Sequence, residues 1–337
     1  MGYVKWSYDT LNTFCHDVFR KFGFNEEETN IIKDVLLTAD LYGIESHGMQ
    51  RMVRYDKGIE KGTIHPDAKP EVVFETPVSA VIDGHDGMGQ LISHFAMEKA
   101  IEKAKKTGVG FVSVRNSNHF GIAGYYAEMA SKQGLLGMAC TNSEAIMVPT
   151  FGRKAMLGSN PIAVAMPAEP YPFLFDCSTT VVTRGKLEMY NKMGKPLPQG
   201  WALGANGQES TDAPDVLANI VAKKGGGIMP LGGNKEVNGS HKGYGYWNAL
   251  RDFQLHLFHG WLLLINAVHL KTRQVSVMDL LPLIPQSSEM QMISGRIFPN
   301  IWKLFVRVQR QKAQSRFILM VRRKYLQKKS AERMAFL

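Results

Sequence analysis

The sequence predicts an α/β fold with an N-terminal helical part, and three observations carry that prediction. Helix-like and strand-like runs alternate from about residue 72 onward. The strand-like runs end in small polar residues: Asn118-His119, Thr141-Asn142-Ser143 and Asp176 to Thr180. Ligands of α/β sheets gather at such strand ends. The first 70 residues instead read as helices followed by a turn-rich connector, Thr63 to Pro70.

Residues 7–22 are amphipathic, with Leu11, Phe14, Val18, Phe19 and Phe22 near helical spacing, and Gly23 stops the run. Asn25 to Tyr42 opens with acids that suit the positive end of a helix dipole. Gly43 breaks it, and Ile44 to Tyr55 follows. A helix starting near Ser46 would set His47, Arg51 and Tyr55 at i, i+4 and i+8 on one face. Histidine moves a proton near neutral pH, arginine grips a planar carboxylate with two hydrogen bonds, and a tyrosine hydroxyl donates to a carbonyl. Together they suit a small 2-hydroxy or 2-keto acid. The plainer alternative is a solvated helix with an incidental histidine.

Val72 to Phe74 and Ala80 to Gly84 read as strands joined at Pro77. Gly87-Met88-Gly89-Gln90 leads into a helix, Leu91 to Lys106, with Ala96, Ala100 and Ile101 on one side. Gly108 to Val114 is a buried-strand pattern that runs into Asn118 and His119, a second acid/base candidate or a satisfied loop histidine. A helix over Ala123 to Gln133 and strands over Leu135 to Thr141, Ile162 to Ala165 and Phe173 to Val182 follow. Asp176-Cys177-Ser178-Thr179 could meet a ribose or pyrophosphate, or simply cap a helix. Residues 191–215 read as a polar loop, and 225–245 as a glycine-dense stretch holding His241-Lys242-Gly243.

Several function classes are excluded. There is no GxGxxG after the first strand and no GxxxxGK[ST], so a standard Rossmann or P-loop site is unsupported. His47, His119 and His241 form no HxH, HxxxH or HExxH pair, so no metal is expected. Cys15, Cys140 and Cys177 are scattered without a CxxC, which points to reduced thiols and a cytoplasmic protein. The N-terminus lacks a secretory pattern, and the best apolar run, Leu255 to Val268, is too short to span a bilayer.

Jointly and in order, the motifs resemble the malate/L-lactate dehydrogenase family of the second type, which also holds sulfolactate, ureidoglycolate and 2,3-diketogulonate enzymes. They are Ser46-His47-Gly48 with Arg51 and Tyr55, Asn116 to Gly121, Gly158-Ser159-Asn160-Pro161, Phe175 to Thr180, Arg184-Gly185-Lys186, Gly200-Trp201-Ala202 and His241 to Gly245. The resemblance implies a non-Rossmann mixed-sheet NAD(P)-binding fold of the sulfolactate dehydrogenase-like type. Residues 1–70 would be the helical substrate-binding part and 71–246 the NAD(P)-binding domain. It implies a homodimer and hydride transfer at C2 of a malate-, lactate- or ureidoglycolate-like acid, with NAD or NADP. His47 and His119 become the acid/base residues, and Ser46, Arg51 and Tyr55 the substrate holders. Ser143, Asp176, Cys177, Ser178, Thr179 and Lys242 would touch the dinucleotide.

The tail departs from that pattern. The net charge of +10 belongs to residues 247–337, which hold 15 Lys/Arg against 4 Asp/Glu; the rest of the chain is near neutral. Only 2 of the 32 glycines lie there. Parts of the tail back-translate, in two other frames, to stretches like the family's continuation. We therefore read 247–337 as an aberrant, non-native basic tail produced by frameshift, and expect low or absent activity from the chain as written. The competing reading is a nucleic-acid or membrane-surface binder acting through Arg307 to Lys329. An out-of-frame origin would strip that charge of meaning, so no nucleic-acid or membrane partner is expected.

Overall fold

The computed structural model describes residues 5–246 and a two-residue strand, Asp279–Leu280. The expectations for the rest of the tail lie outside the described residues. Two helices open the chain, α1 (Tyr8–Lys21) and α2 (Glu26–Leu41). Ser7 Oγ accepts the Thr10 N–H to start α1. Asn25 and Glu28 close a reciprocal capping box at α2. Two 3-10 turns, Glu45–His47 and Met49–Arg51, lead into α3 (Met52–Glu60). The layer closes on an apolar cluster that includes Phe19, Phe24, Leu36 and Tyr55. The other side of α2 sends Val35, Ala39 and Tyr42 into the core of the sheet domain.

Among the described residues, seven strands form one sheet: β1 (Glu71–Glu75), β2 (Ser79–Asp83), β3 (Phe111–Arg115), β4 (Gly137–Cys140), β5 (Ile162–Met166), β6 (Phe173–Cys177) and β9 (Asp279–Leu280). The order is β1-β2-β3-β9-β4-β5-β6. Only β2 and β3 run parallel, so the sheet is mixed, as expected. Two residues of the basic tail thus sit between β3 and β4, pairing Leu280 with both Val112 and Ala139. Helices α4 (Gly89–Thr107) and α5 (Ala123–Ser131) pack on the sheet through alanines, including Ala96, Ala100, Ala127 and Ala130. A smaller unit holds α6 (Arg184–Lys192), β7 (Ala202–Leu203), α7 (Ala213–Ala222) and β8 (Gly227–Ile228) around Leu187, Val216 and Ile228.

Three sequence expectations need correction. His47, Arg51 and Tyr55 do not share one continuous helix, because Gly48 takes φ −87 and ψ −148 between the two turns and α3 begins only at Met52. The strand expected to Val182 stops at Cys177, where Ser178 and Thr180 turn their hydroxyls onto local backbone. Residues 191–215 are not all loop: they hold β7 and the start of α7. Asp212 caps α7 by accepting the Asp215 N–H, and Pro214 stands in its first turn.

The helices lie so close to the sheet that two glycines cannot carry a side chain. A Cβ on Gly110 would stand 2.0 Å from the Ala100 carbonyl oxygen, and one on Gly137 would stand 2.1 Å from that of Ala127. Gly110→Ala and Gly137→Ala should each cost about 1–3 kcal/mol through overpacking. Gly245→Ala, which meets nothing within 4 Å, should be neutral. Urea denaturation of the three variants checks this, and equal midpoints would refute the close approach.

Candidate active site

The site forms where the helical layer meets the loop after β3. Gly89 opens α4, and a Cβ there would come within 2.5 Å of the His119 carbonyl oxygen. The loop therefore rests on the helix start and holds His119 in place. Gly48 plays the same part for His47. A Cβ there would stand 1.9 Å from Asp40 Oδ1, while Asp40 Oδ2 accepts the Met49 N–H at 2.8 Å. Burial pushes the Asp40 carboxyl up to about 6.

The two histidines meet face to face. Their ring centroids are 5.5 Å apart with planes inclined by 21°. Ser46 Oγ lies 2.8 Å from His47 Nδ1. Tyr55 Oη lies 2.8 Å from His119 Nδ1, and Gln90 Nε2 donates to that same hydroxyl at 2.8 Å. Tyr55 and Gln90 are both 0% exposed. Burial holds the His47 ring down to about 4, helped by the positive charges of Arg51 and Arg54. Burial also keeps His119 well below the usual imidazole range, with His47, Arg54 and Arg51 acting in the same direction. Both rings are therefore neutral at pH 7.

Arg51 follows a different path from the two rings. Its Nε donates to the Ser46 carbonyl at 2.5 Å and its Nη1 to Glu188 Oε2 at 3.2 Å. Glu188 and Glu144 also face Arg184, at 3.2 and 3.4 Å. The sequence reading passed over Gln90, Arg54 and Glu188. Arg54 had a signal, since it stands three residues after Arg51 in one helical turn. Gln90 and Glu188 had none, because their partners lie 35 and 137 residues away.

Of the residues expected at the dinucleotide, Asp176 and Cys177 end β6, Ser178 and Thr179 follow it, and Ser143 lies in the loop after β4. Ser143 Oγ accepts the Ser159 N–H at 2.7 Å and lies 3.0 Å from Ser159 Oγ. The Ser159 carbonyl takes both the N–H and the hydroxyl of Thr179. Asp176 Oδ2 accepts the Gly124 N–H at 2.7 Å in the first turn of α5. Cys177 Sγ and Ser178 Oγ turn to local backbone. Lys242 is exposed on a helical segment, residues 240–246. Its neighbour Gly243 abuts Leu231, whose N–H bonds the Thr179 carbonyl.

The family model described as malate/L-lactate dehydrogenase matches residues 6–250. The chain belongs to the malate/L-lactate dehydrogenase family. It is similar to a malate dehydrogenase of Pyrococcus abyssi, 46% identical over 244 residues, covering 72% of this chain and 66% of that protein. It is also similar to an L-sulfolactate dehydrogenase of Methanocaldococcus jannaschii, 44% identical over 220 residues, covering 65% of this chain and 62% of that one. The chain thus spans slightly less than two thirds of these relatives' length. The crystal structure of malate dehydrogenase from Entamoeba histolytica superimposes with a TM-score of 0.75 at 34% identity, covering 83% of this chain and 79% of that one. Every motif of the family resemblance lies inside the matched stretch, and the match ends close to where the composition changes.

The electrostatics of the site are testable by titration. His47 should titrate near pH 4, and Arg54→Gln should raise that midpoint by removing a nearby cation. With a folded value near 4 and an ordinary value of 6.5, the unfolded chain binds more protons between those limits. This ring's contribution therefore weakens the fold as pH falls from 6.5 toward 4. Histidine-resolved NMR titration checks it, and a midpoint at 6.5 in both proteins would contradict it.

Proposed function

We propose that this chain is an NAD(P)-dependent oxidoreductase that moves a hydride between a nicotinamide and C2 of a small 2-hydroxy or 2-keto acid. The observation that carries the reading is His119: neutral, seated on α4, bonded to a buried tyrosine and stacked on a second neutral histidine beside two arginines. A neutral imidazole accepts a hydroxyl proton, and the adjacent cations favour an anionic acid. Relatives named malate dehydrogenase and L-sulfolactate dehydrogenase support the same chemistry.

In the oxidative direction the C2–H bond breaks with its electron pair, the hydroxyl proton leaves, and C2=O forms. A nicotinamide, when bound, would supply the hydride acceptor. His119 takes the proton, and Tyr55 holds the ring. His47, with Ser46 on its Nδ1, stands as the second proton-handling group. Arg51, aimed by Ser46 and Glu188, directs charge at the substrate carboxylate, with Arg54 adding to the positive field. The donor set beyond β4 to β6 fits a dinucleotide. Hydroxyls of Ser143 and Ser159 suit ribose and phosphate oxygens, Asp176 to Thr179 shape the floor, and Lys242 supplies a cation nearby. A homodimer in the cytoplasm belongs to the same reading, on the strength of the family resemblance.

The test is a nicotinamide oxidation assay, with NADH and with NADPH, against oxaloacetate, pyruvate and related 2-keto acids. It is run on the chain as written and on a gene restored to one frame across the codons for Gly243 to Val277. The restored protein should turn over at least one acid, and the chain as written should be weaker or inactive. His119→Ala should lower kcat/KM by about a hundredfold or more. Absence of turnover in both proteins, across all acids and both nucleotides, would defeat the proposal.

A further inference from the structure

We infer that Gln90 is a positioning residue that sets which nitrogen of His119 carries the proton. The inference rests on the proposed role of His119. Gln90 lies in the first turn of α4, is 0% exposed, and reaches His119 Nδ1 through the Tyr55 hydroxyl.

The hydrogen-bond directions give the reason. Gln90 Nε2–H donates to Tyr55 Oη at 2.8 Å, and Tyr55 Oη faces His119 Nδ1 at 2.8 Å. The Gly121 N–H also points at Nδ1, at 3.4 Å. When the Tyr55 hydroxyl donates to it beside the Gly121 N–H, Nδ1 is the bare nitrogen and Nε2 holds the ring proton. In that state His119 offers a hydrogen bond through Nε2, which suits a keto oxygen. It cannot take a hydroxyl proton there.

The Gln90 side chain also contains the alternative. Its Oε1 is buried with no hydrogen-bond partner among the described residues. If the amide turns over, Oε1 accepts the Tyr55 O–H. Tyr55 oxygen then accepts Nδ1–H from His119, and Nε2 becomes a bare base. The amide NH2 then takes the place of Oε1 as the group lacking its partner, so each orientation leaves part of the amide unpaired and neither is strongly preferred on that ground. The second orientation also supports the imidazolium formed when Nε2 accepts the hydroxyl proton, since that ring needs an acceptor at Nδ1. The number of protons on Gln90, Tyr55 and His119 is unchanged: the Tyr55 hydroxyl turns from Nδ1 to Oε1, and the ring proton passes from Nε2 to Nδ1 by exchange with solvent water.

The charged and titratable groups around His119 are His47 from the turn before α3, and Arg51, Arg54 and Tyr55 at α3. Among the described residues, Gln90 and His119 are the groups hydrogen-bonded to Tyr55 Oη, so the orientation of the Gln90 amide sets which way that hydroxyl points.

The test compares Gln90→Met and Gln90→Glu on the full chain and on the frame-restored protein. Nitrogen-15 NMR of the His119 ring reads the tautomer without requiring turnover. Gln90→Met should hold the proton on Nε2, because Tyr55 then has only Nδ1 to donate to, and the native protein should populate both tautomers. Gln90→Glu, which offers an acceptor, should move it to Nδ1 and raise the titration midpoint of His119. In the frame-restored protein, Gln90→Met should lower kcat/KM for the hydroxy acid by about tenfold, the effect of losing one buried hydrogen bond. The Gln90→Glu shift should vanish in a Tyr55→Phe background, which breaks the relay. An unchanged tautomer and unchanged pH profile in Gln90→Glu would overturn the inference, even if thermal stability fell. If neither protein turns over any acid, the ring spectra still decide on Gln90 while the oxidoreductase reading fails separately.

Discussion

The hydrogen bond from Tyr55 to His119 joins the two halves of the molecule. Tyr55 belongs to α3 and is packed in the apolar cluster of the helical layer. His119 belongs to the loop that leaves β3, a strand of the main sheet. Each side is rigid for its own reason: Tyr55 is fully buried, and the His119 backbone rests on Gly89. A contact 64 residues apart in sequence is thereby held to 2.8 Å. The proposed chemistry needs that precision, because proton transfer fails outside hydrogen-bond reach.

Close backbone approach is the means by which the layers reach each other. Gly48 lets the His47 turn settle on Asp40, and Gly89 lets the His119 loop settle on α4. Alanines do the same work between α4, α5 and the sheet. Small residues here are spent on proximity. The His47 and His119 side chains are consequently carried on backbone that has little room to shift, which is the preorganisation the proposed chemistry requires.

Charge is arranged with similar economy. Arg51 and Arg54 stand beside two imidazoles, and that field favours the neutral ring. The same field favours an anionic ligand. One arrangement thus keeps both histidines neutral and matches the carboxylate of the proposed substrate. Glu188 ties Arg51 to α6, so the smaller unit around Leu187 also helps aim the site.

Much of this was legible in the chain. Outside the turns around Gly48, helix and strand positions from Tyr8 to Met166 followed from periodicity and from glycine breaks, because local propensity and burial agree there. The mixed sheet, and His47 and His119 as the two acid/base candidates, were legible only through the family motifs taken together. The short elements near 202–222 were hidden by their loop-like composition, although Asp212 and Pro214 signalled a helix start. The single face expected for His47, Arg51 and Tyr55 failed at Gly48, where a tertiary contact with Asp40 overrides helical continuation. Sequence by itself determined the residue types of the site, the change of composition near Tyr246 and the α/β class. Tertiary structure alone decided that two histidines stack, that Arg51 is steered by Glu188, and that Gln90 stands behind Tyr55. Those are contacts between distant segments, and no local pattern in a chain encodes which distant polar groups will be buried together.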